Sequence, residues 1–545
     1  MEKKVQTIRV NGLILALEEK EESLVLKAAS VLGITAKEIL SFGVLKRALD
    51  ARRNRPPHFV YSVKVGLSDS AVVPQTLPEG LQILPFADVP VMAYPGKEKP
   101  KAPYRPEQPV VVIGGGPSGL FAAWVLALCG VPVLLMERGK RIEERVRDVR
   151  RFWEAGELNP QSNVLFGEGG AGTFSDGKLT SRTKNPYAGW VKKTLVEMGA
   201  PSSILTDAKP HVGTDRLRNV ILQLRNQLTQ LGGVIQFESQ VTDFLIRHGK
   251  IEAVVVNGGQ EIRAGQVILA IGQSADDTYA ILARRGVQME AKAFAMGLRV
   301  EHPQCQINQL QYGKWSNAPE LPPAEYFVTA AVQKFNRSVY TFCMCPGGRV
   351  IGCSAFPGGI ITNGMSNHDR SEAFANSALV VNVREEDFVK EGDPLSGLRF
   401  RTIWEQKAFV AGGGDYFAPA QKLSEFVERK YSGAIGRTSF LPGVRAVPLE
   451  DVLPEFVACS LRAGLLRFEQ KMPGFISPDA HLIGVETRTS SPVRISRNAN
   501  GQSENIQGLY PCGEGAGYAG GIISSALDGM KAAWSVMSVL NGSPE

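Results

Sequence analysis

Residues 110–119 read VVVIGGGPSG, four apolar residues followed directly by a glycine-rich turn. A continuous apolar run of this length is typical of a strand that is buried on both faces of a parallel sheet. Gly114, Gly116 and Gly119 have the spacing G-x-G-x-x-G. The first glycine allows the turn, the second lets the backbone approach a pyrophosphate, and the third lets the helix pack on the strand. The segment therefore predicts the start of a dinucleotide-binding βαβ unit.

The residues that follow complete this unit. Their pattern predicts a helix over residues 118–129, which ends at Gly130, and a second strand over residues 131–136. Glu137 comes directly after that strand, 23 residues beyond Gly114. A carboxylate at this point accepts hydrogen bonds from a ribose 2′-hydroxyl group. Because the acid suits FAD and NAD equally, the unit alone does not identify the dinucleotide.

A second glycine-rich segment near the C-terminus favours FAD over NAD as the dinucleotide. A short strand is predicted over residues 506–512, Gly513 and Glu514 follow it, and a helix is predicted over residues 521–540. This arrangement resembles the fingerprint of two-dinucleotide-domain flavoproteins, whose acid holds the ribitol and whose helix N-terminus faces N1 and O2 of the isoalloxazine ring. An apolar strand over residues 266–271 ends at Gly272, where such proteins cross to the substrate domain. We therefore expect FAD.

Two further segments are candidates for the same site. The loop over residues 167–178 is dense enough in glycine to lie against a pyrophosphate and the flavin edge, with Lys178 as a nearby cation; the alternative is a flexible surface loop. Arg488 is a candidate for holding negative charge on the flavin or on an anionic substrate, and the alternative is a structural salt bridge. No catalytic proton-transfer residue is assigned. The predicted cofactor-binding set is Gly114, Gly116, Pro117, Ser118, Gly119, Glu137, Arg138, Gly172, Lys178, Val241, Gly272, Arg488, Gly513, Glu514, Gly520, Gly521 and Ile522.

Cys343 and Cys345 form a C-x-C pair. A disulfide that closes so small a ring is strained, and the C-x-x-C spacing of flavin disulfide reductases is absent. Zinc needs more ligands, and none of the six histidines is clustered beside these cysteines. Buried thiols in a turn are the favoured interpretation, with a redox-active pair as the alternative. His368 is interpreted as part of an ordinary polar loop.

The length of 545 residues predicts more than one domain. We expect an α/β fold with a small N-terminal α+β domain (1–100), the first part of a Rossmann-like FAD-binding domain (101–275), an inserted α+β substrate domain (276–475) and the C-terminal part of the FAD-binding domain (476–545). Within the first domain, strands are predicted over residues 7–10, 13–17, 39–49 and 59–65, with a helix over residues 21–32. In the FAD-binding domain, Thr214 is predicted to cap a helix, and strands over residues 234–237 and 250–256 are predicted to form a meander.

The composition and charge of the chain restrict its expected partners and cellular location. A net charge of +7 is modest for this length and does not by itself predict a nucleic-acid partner. The basic loop over residues 46–55 is interpreted as a solvated hairpin tip, with a phosphate or nucleic-acid contact as the alternative. No signal-peptide pattern or membrane-length apolar run is present, and the seven cysteines are scattered, so a cytoplasmic protein without a membrane span is expected.

The runs over residues 167–179, 342–348, 486–495 and 511–528 resemble a family of bacterial and plastid proteins called uncharacterised FAD-dependent dehydrogenases. More distantly, the chain is similar to the geranylgeranyl reductase and glutathione-reductase-type FAD superfamily. The resemblance implies bound FAD, a glutathione-reductase-type FAD-binding domain and an oxidoreductase activity, in a bacterial cytoplasmic or plastid setting. It implies no particular substrate, because fold-level similarity does not specify a reaction.

The expected function is a FAD-dependent oxidoreductase that passes hydride or electrons through flavin N5 to or from an unknown small molecule. No second dinucleotide-binding unit is found in the sequence, so NADH or NADPH, as the electron donor, would enter the substrate cleft transiently. Two alternatives stay open: a FAD-dependent RNA-modifying enzyme that uses the basic N-terminal loop, and a non-catalytic FAD-binding protein. A nucleic-acid partner is disfavoured because the net charge is modest and the basic loop is interpreted as a solvated hairpin tip.

Overall fold

The computed structural model describes residues 6–52, 55–69, 71, 80–85, 108–181, 183–389 and 392–541. Arg53 of the basic loop and residues 86–107 lie outside these residues. The N-terminal domain is one antiparallel sheet of order β2-β3-β1-β4 packed on a single α-helix. Its elements are β1 (Gln6–Ala16), α1 (Leu24–Leu32), β2 (Ile39–Asp50), β3 (His58–Leu67) and β4 (Gln82–Pro85).

The two strands predicted over residues 7–10 and 13–17 are a single strand, β1. Its pairing with β3 shifts register between Asn11 and Leu13, and Gly12 between them has a φ of 90°. A bulge at this glycine lets the ladder continue past the residue that interrupts the alternation, which explains why the pattern looked like two strands. The helix predicted from residue 21 begins one turn later, and Gly33 ends it in the left-handed conformation.

The FAD-binding domain begins with the predicted βαβ unit, which is confirmed. The strands β5 and β6 are buried along their whole length, as a parallel strand covered on both faces must be. The elements of this half are β5 (Val110–Ile113), α2 (Pro117–Leu128), β6 (Val133–Met136), α3 (Ile142–Ala155), α4 (Tyr187–Glu197), α5 (Thr214–Gln230) and β7 (Val234–Gln236).

Three antiparallel strands and a return strand follow. The elements are β8 (Val241–Arg247), β9 (Lys250–Val256), β10 (Gln260–Arg263), β11 (Val267–Leu269) and α6 (Asp276–Arg284). The predicted meander is therefore wrong in its first member, because β7 pairs parallel with β6 and β9 pairs antiparallel with β8 and β10. The capping prediction for Thr214 is also wrong: Gly213 is the N-cap of α5, and the Thr214 hydroxyl donates to the Thr173 carbonyl oxygen.

The middle of the chain is more regular than its glycine and proline content indicated. Its core is an eight-stranded sheet of order β14-β15-β17-β13-β20-β18-β19, with β16 paired to β15. The elements are β12 (Met289–Ala291), β13 (Phe294–Pro303), α7 (Gln304–Tyr312), β14 (Thr329–Val332), β15 (Arg337–Gly352), β16 (Thr362–Ser366), β17 (Phe374–Val383), α8 (Ser396–Ala411), β18 (Ala418–Lys422), α9 (Leu423–Glu428), β19 (Val444–Ala446), α10 (Glu455–Lys471) and β20 (His481–Glu486).

The chain then returns to the FAD-binding domain with β21 (Val493–Ile495), β22 (Leu509–Pro511) and α11 (Ile522–Leu540). The strand β22 adds to the parallel sheet, whose order is β22-β11-β5-β6-β7, and α11 packs beside α2. Although β20 falls after residue 476, it is hydrogen-bonded into the sheet of the middle domain. The domain boundaries themselves stay predictions. Among the described residues, no helix has both the length and the apolar character needed to cross a membrane.

Candidate functional site

A cavity of about 410 Å³ lies where the parallel sheet meets the middle domain. The turns after β5, β6, β11 and β22 all open onto it, as expected for the carboxyl edge of a parallel sheet. Every residue of the predicted cofactor-binding set lines this cavity except Gly119. The structure thus brings together residues that are almost 400 positions apart in the chain.

Gly119 lies outside the cavity because it packs the helix onto the turn. A Cβ atom at this position would lie 1.9 Å from the carbonyl oxygen of Gly114. Gly114 itself has a φ of 104°, which an L side chain rarely adopts, and its own Cβ would lie 2.3 Å from the Ala270 carbonyl oxygen. These two glycines set the start of α2 against the ends of β5 and β11, so that the first turn of the helix faces the cavity.

Glu137 is held by the backbone of three separate segments. Its Oε2 accepts a hydrogen bond from the amide of Gly115 at 2.6 Å, and its Oε1 accepts from Gly139 at 2.9 Å and from Gly167 at 2.8 Å. A carboxylate has about four acceptor positions. The three amides therefore leave capacity for a further donor from the cavity, which Glu137 also lines. Its contacts with Gly139 and Gly167 were not anticipated from the sequence.

The glycine-rich loop over residues 167–178 is built into the interior by Arg145, a residue that sequence reasoning missed. The Arg145 side chain is fully buried and donates to the carbonyl oxygens of Glu168 at 2.6 Å and Gly170 at 3.0 Å. Burial lowers the pKa of Arg145 to about 10. The available signal was weak: a basic residue at helical spacing between the apolar residues Ile142 and Val149 of α3. The loop in turn lies directly on the start of α2, since a Cβ on Gly170 would lie 2.9 Å from the Gly116 Cα.

Glu514 also lines the cavity, and Gln273 is its hydrogen-bond partner. Gln273 donates from Nε2 to Glu514 Oε1 at 2.9 Å and to the Arg488 carbonyl oxygen at 2.7 Å. Burial raises the pKa of Glu514 to about 7. Gly513, in the left-handed region, donates its amide to Asp528 of α11 at 2.8 Å. Gly521 and Ile522, where α11 begins, also line the cavity.

Arg488 takes part in a buried ion pair and also lines the cavity. Its Nε and Nη2 both donate to the Glu405 carboxylate at 3.0 Å, and the side chains are 4% and 0% exposed. Burial opposes the charge, but Glu405 and Asp276 together hold the pKa of Arg488 above its ordinary value. The remaining nitrogen, Nη1, is buried and has no hydrogen-bond partner among the described residues.

A third wall of the cavity comes from β15 and the segment around Lys178. Phe342 and Cys343 of β15 line the cavity, whereas Cys345 is buried and does not line it. Lys178 is 4.0 Å from the carboxylate of Asp176, which Arg370 holds through two hydrogen bonds of 3.1 and 2.7 Å. The favoured interpretation of both cysteines as buried thiols therefore holds for Cys345 only.

Two further sequence candidates lie elsewhere. The basic segment predicted as a hairpin tip begins inside β2, where Arg47 packs over the ring of Phe59, and Arg52 just beyond β2 forms an ion pair with Asp50. The backbone of Arg47 pairs with residues 206 and 208, which docks β2 on the FAD-binding domain. His368 is more than an ordinary loop residue, because its ring stacks on that of His211 with the ring centres 5.2 Å apart.

A curated protein from Clostridium beijerinckii, described as uncharacterized, is 42% identical to this chain over 530 residues and is matched over 98% of its own length. The match covers 96% of this chain. The chain belongs to the family of this clostridial protein. The chain also matches a family model described as "FAD-dependent protein, C-terminal domain-like" over residues 293–489. Residues 107–150 match a FAD binding domain, and residues 7–66 match a domain of unknown function.

Solved structures that are similar to this chain include the flavin-dependent brominase Bmp2, which is 13% identical with a TM-score of 0.36. The similarity covers 80% of both chains. A geranylgeranyl bacteriochlorophyll reductase-like protein from Thermoplasma acidophilum is 14% identical with a TM-score of 0.34, covering 79% of this chain and 78% of that one. A halogenase PltM variant in complex with FAD is 10% identical with a TM-score of 0.37, covering 80% of this chain and 70% of that one. The prediction of FAD as the cofactor is confirmed by the two family descriptions that name it.

Proposed function

We propose that this chain is an oxidoreductase whose cavity holds FAD between the first turn of α2 and the first turn of α11. The observation that carries the proposal is that one cavity is lined both by Gly116 and Glu137 and by Glu514 and Gly521. A helix N-terminus presents free amides and a positive dipole end, which suit the pyrophosphate at α2 and an electron-rich ring edge at α11. Glycines at both helix starts let the backbone approach the cofactor closely.

The acidic side chains suit the sugar parts of FAD. Glu137 keeps one acceptor position for a ribose hydroxyl after binding three backbone amides. Glu514, whose Oε1 is bound by Gln273, would hold the ribitol through its other oxygen. Because the pKa of Glu514 is raised to about 7 by burial, a hydroxyl donor from the cofactor would favour its ionised form.

The chain also provides a positive charge beside the ring. When bound, FAD supplies hydride or electron transfer through its flavin N5. Arg488 faces the same cavity with one buried nitrogen that lacks a partner, and a buried donor of this kind costs free energy unless a ligand accepts from it. We assign to Arg488 the binding of a carbonyl or anionic oxygen of a ligand in this cavity.

The test is an anaerobic titration of the purified FAD-loaded protein with NADH and then NADPH, with the visible flavin absorbance as the readout. An equal concentration of free FAD is the control for direct reduction by the nucleotide. Rapid bleaching by one nucleotide would support a nicotinamide-dependent reductase. If neither nucleotide bleaches the flavin, a panel of chemical and protein donors follows, and a protein whose flavin no donor reduces would be a non-catalytic FAD-binding protein, which contradicts the proposal.

A further inference from the structure

Cys343 has a backbone conformation that sets it apart from the other non-glycine residues of β15. Its φ is 48°, in the left-handed region, and the pairing of β15 with β17 shifts register between Phe342 and Cys345. A non-glycine residue is strained in this region, and such strain persists only where the surroundings enforce it. Bulges of this kind redirect side chains beside functional sites. Here the bulge places Cys343 on the cavity wall, whereas Cys345 is buried and does not line the cavity.

The fully buried Arg299 holds this conformation from behind. Its Nη2 donates to the Cys343 carbonyl oxygen at 2.8 Å and lies 3.6 Å from the Cys345 sulfur. The same guanidinium pairs with Glu486 through Nη1 at 3.1 Å. Arg299 thus lies beside the Cys345 sulfur, and its positive charge also lowers the pKa of Cys343.

The charged groups around Cys343 favour the thiolate. The Cys345 thiol is the largest influence that lowers the pKa of Cys343, followed by Lys178 and Arg299, while burial and the Asp176 carboxylate act in the opposite direction. Asp176 is already held by Arg370, which reduces its opposition. Glu486 and Glu514 also face this cavity, and burial raises the pKa of each to about 7, so that both carry less negative charge at neutral pH than exposed carboxylates.

We propose that Cys343 is a nucleophilic thiolate of the flavin cavity and that its ligand is an α,β-unsaturated carbonyl compound whose oxygen is bound by Lys178. The location rests on the proposed function, since the same cavity would hold FAD. Two cavity-lining groups carry the assignment: a soft sulfur nucleophile that attacks an electron-poor carbon, and an ammonium group that stabilises the oxygen where the negative charge collects.

The addition requires only the Cys343 thiolate, the Lys178 ammonium group, the ligand and water. The Cys343 sulfur forms a bond to the β-carbon of the ligand, the carbon–carbon π bond breaks, and its electron pair moves to the carbonyl oxygen as an enolate. The Lys178 ammonium stabilises that oxygen and passes one proton to the α-carbon. The neutral amine then recovers a proton from water, and the product is a thioether.

The test uses the full-length FAD-loaded protein and N-ethylmaleimide, an unsaturated carbonyl probe, at pH 6 with peptide mapping of each cysteine. Cys305 on α7 is exposed and is the internal reference for an ordinary thiol. A thiol of pKa ~8.5 is only ~0.3% ionised at this pH, so a predominantly ionised Cys343 gains ~300-fold in thiolate, and its lower intrinsic nucleophilicity reduces the advantage to about tenfold. We expect Cys343 to react about tenfold faster than Cys305.

Two variants and one spectroscopic measurement make the result decisive. Lys178→Met should slow the labelling of Cys343, and Lys178→Arg, which retains the charge, should largely restore it. The ultraviolet absorbance of the Cys343 thiolate is measured as the spectrum of the wild type minus that of Cys343→Ser. This difference band should still be present at pH 6. A missing band would overturn the thiolate, and a band without labelling would overturn the carbonyl ligand. A yellow, reducible protein with an inert Cys343 would leave the proposed function intact, whereas an irreducible protein with a reactive Cys343 would contradict the proposed function alone.

Discussion

The Glu137 carboxylate accepts a hydrogen bond from the amide of Gly167, 30 residues further along the chain, at 2.8 Å. The same carboxylate binds the amide of Gly115 in the first glycine turn. A single side chain therefore joins the turn after β5 to the glycine-rich loop that covers it. The residue predicted for the ribose is also the residue that holds two cavity walls together.

Replacing Glu137 with alanine should consequently reduce both FAD content and stability. The variant leaves three backbone amides without their acceptor, and a buried unpaired group costs about 1–3 kcal/mol. We expect a loss of several-fold or more in FAD affinity, measured by flavin fluorescence during dialysis, and a lower melting temperature. Glu154→Ala, at an exposed position at the end of α3, is the matched control. Wild-type FAD content in Glu137→Ala would contradict the assignment of the ribose site.

Gly119→Ala should disrupt the turn although Gly119 does not line the cavity. The added methyl group would lie 1.9 Å from the Gly114 carbonyl oxygen, so the start of α2 must move away from the sheet. We expect nearly colourless protein with a lower melting temperature. Gly265→Ala is the control, because a Cβ there meets nothing within 4 Å. Equal flavin content in the two variants would show that the close approach at Gly119 is not required.

Arg488→Met should be more destabilising than the double variant Arg488→Met/Glu405→Gln. Removing the arginine alone leaves a fully buried carboxylate without its counter-ion, which costs about 3–5 kcal/mol. Urea unfolding of the four proteins of the cycle measures the difference. The exposed pair of Arg494 and Glu290 is the control, and breaking it should cost about 1 kcal/mol or less. A double variant as unstable as Arg488→Met alone would mean that Glu405 is not the source of the cost.

Glu301 should make the protein less stable as the pH rises. This carboxyl is buried in the middle domain, where its oxygens accept from the amide and hydroxyl of Ser439. Burial raises the pKa of Glu301 to about 7 from the ordinary value of 4.5. The folded state therefore binds the proton more tightly than the unfolded state, and this contribution is complete below the unfolded pKa and lost as pH rises through 7.

The shift corresponds to ~3 kcal/mol across that interval. Glu301→Gln should remove this part of the difference between the melting temperatures at pH 5 and pH 8. The exposed Glu428→Gln is the control and should retain the wild-type difference. An unchanged pH dependence in Glu301→Gln would show that the carboxyl is ionised at a normal pH in the folded protein.

Local sequence determined the elements that recognise a dinucleotide. The apolar run over Val110–Ile113, the glycine spacing and Glu137 each have a short-range physical cause, because a buried parallel strand, a tight turn and a close helix restrict the residue types at those positions. The C-terminal pair Gly513 and Glu514 was identified through its resemblance to the fingerprint of two-dinucleotide-domain flavoproteins. Strand bounds were less certain, as the bulge at Gly12 shows, since pairing with β3 rather than alternation sets where β1 ends.

Only the tertiary structure decided which distant groups share the cavity and whether those groups are ionised. The sequence does not show that Arg145 on α3 holds the glycine-rich loop, that Gln273 binds Glu514, or that β15 bulges to expose Cys343 while burying Cys345. Such arrangements depend on contacts between segments that lie far apart along the chain. The pKa of a buried group depends on the same contacts, because burial and the nearest opposite charge determine whether it is ionised.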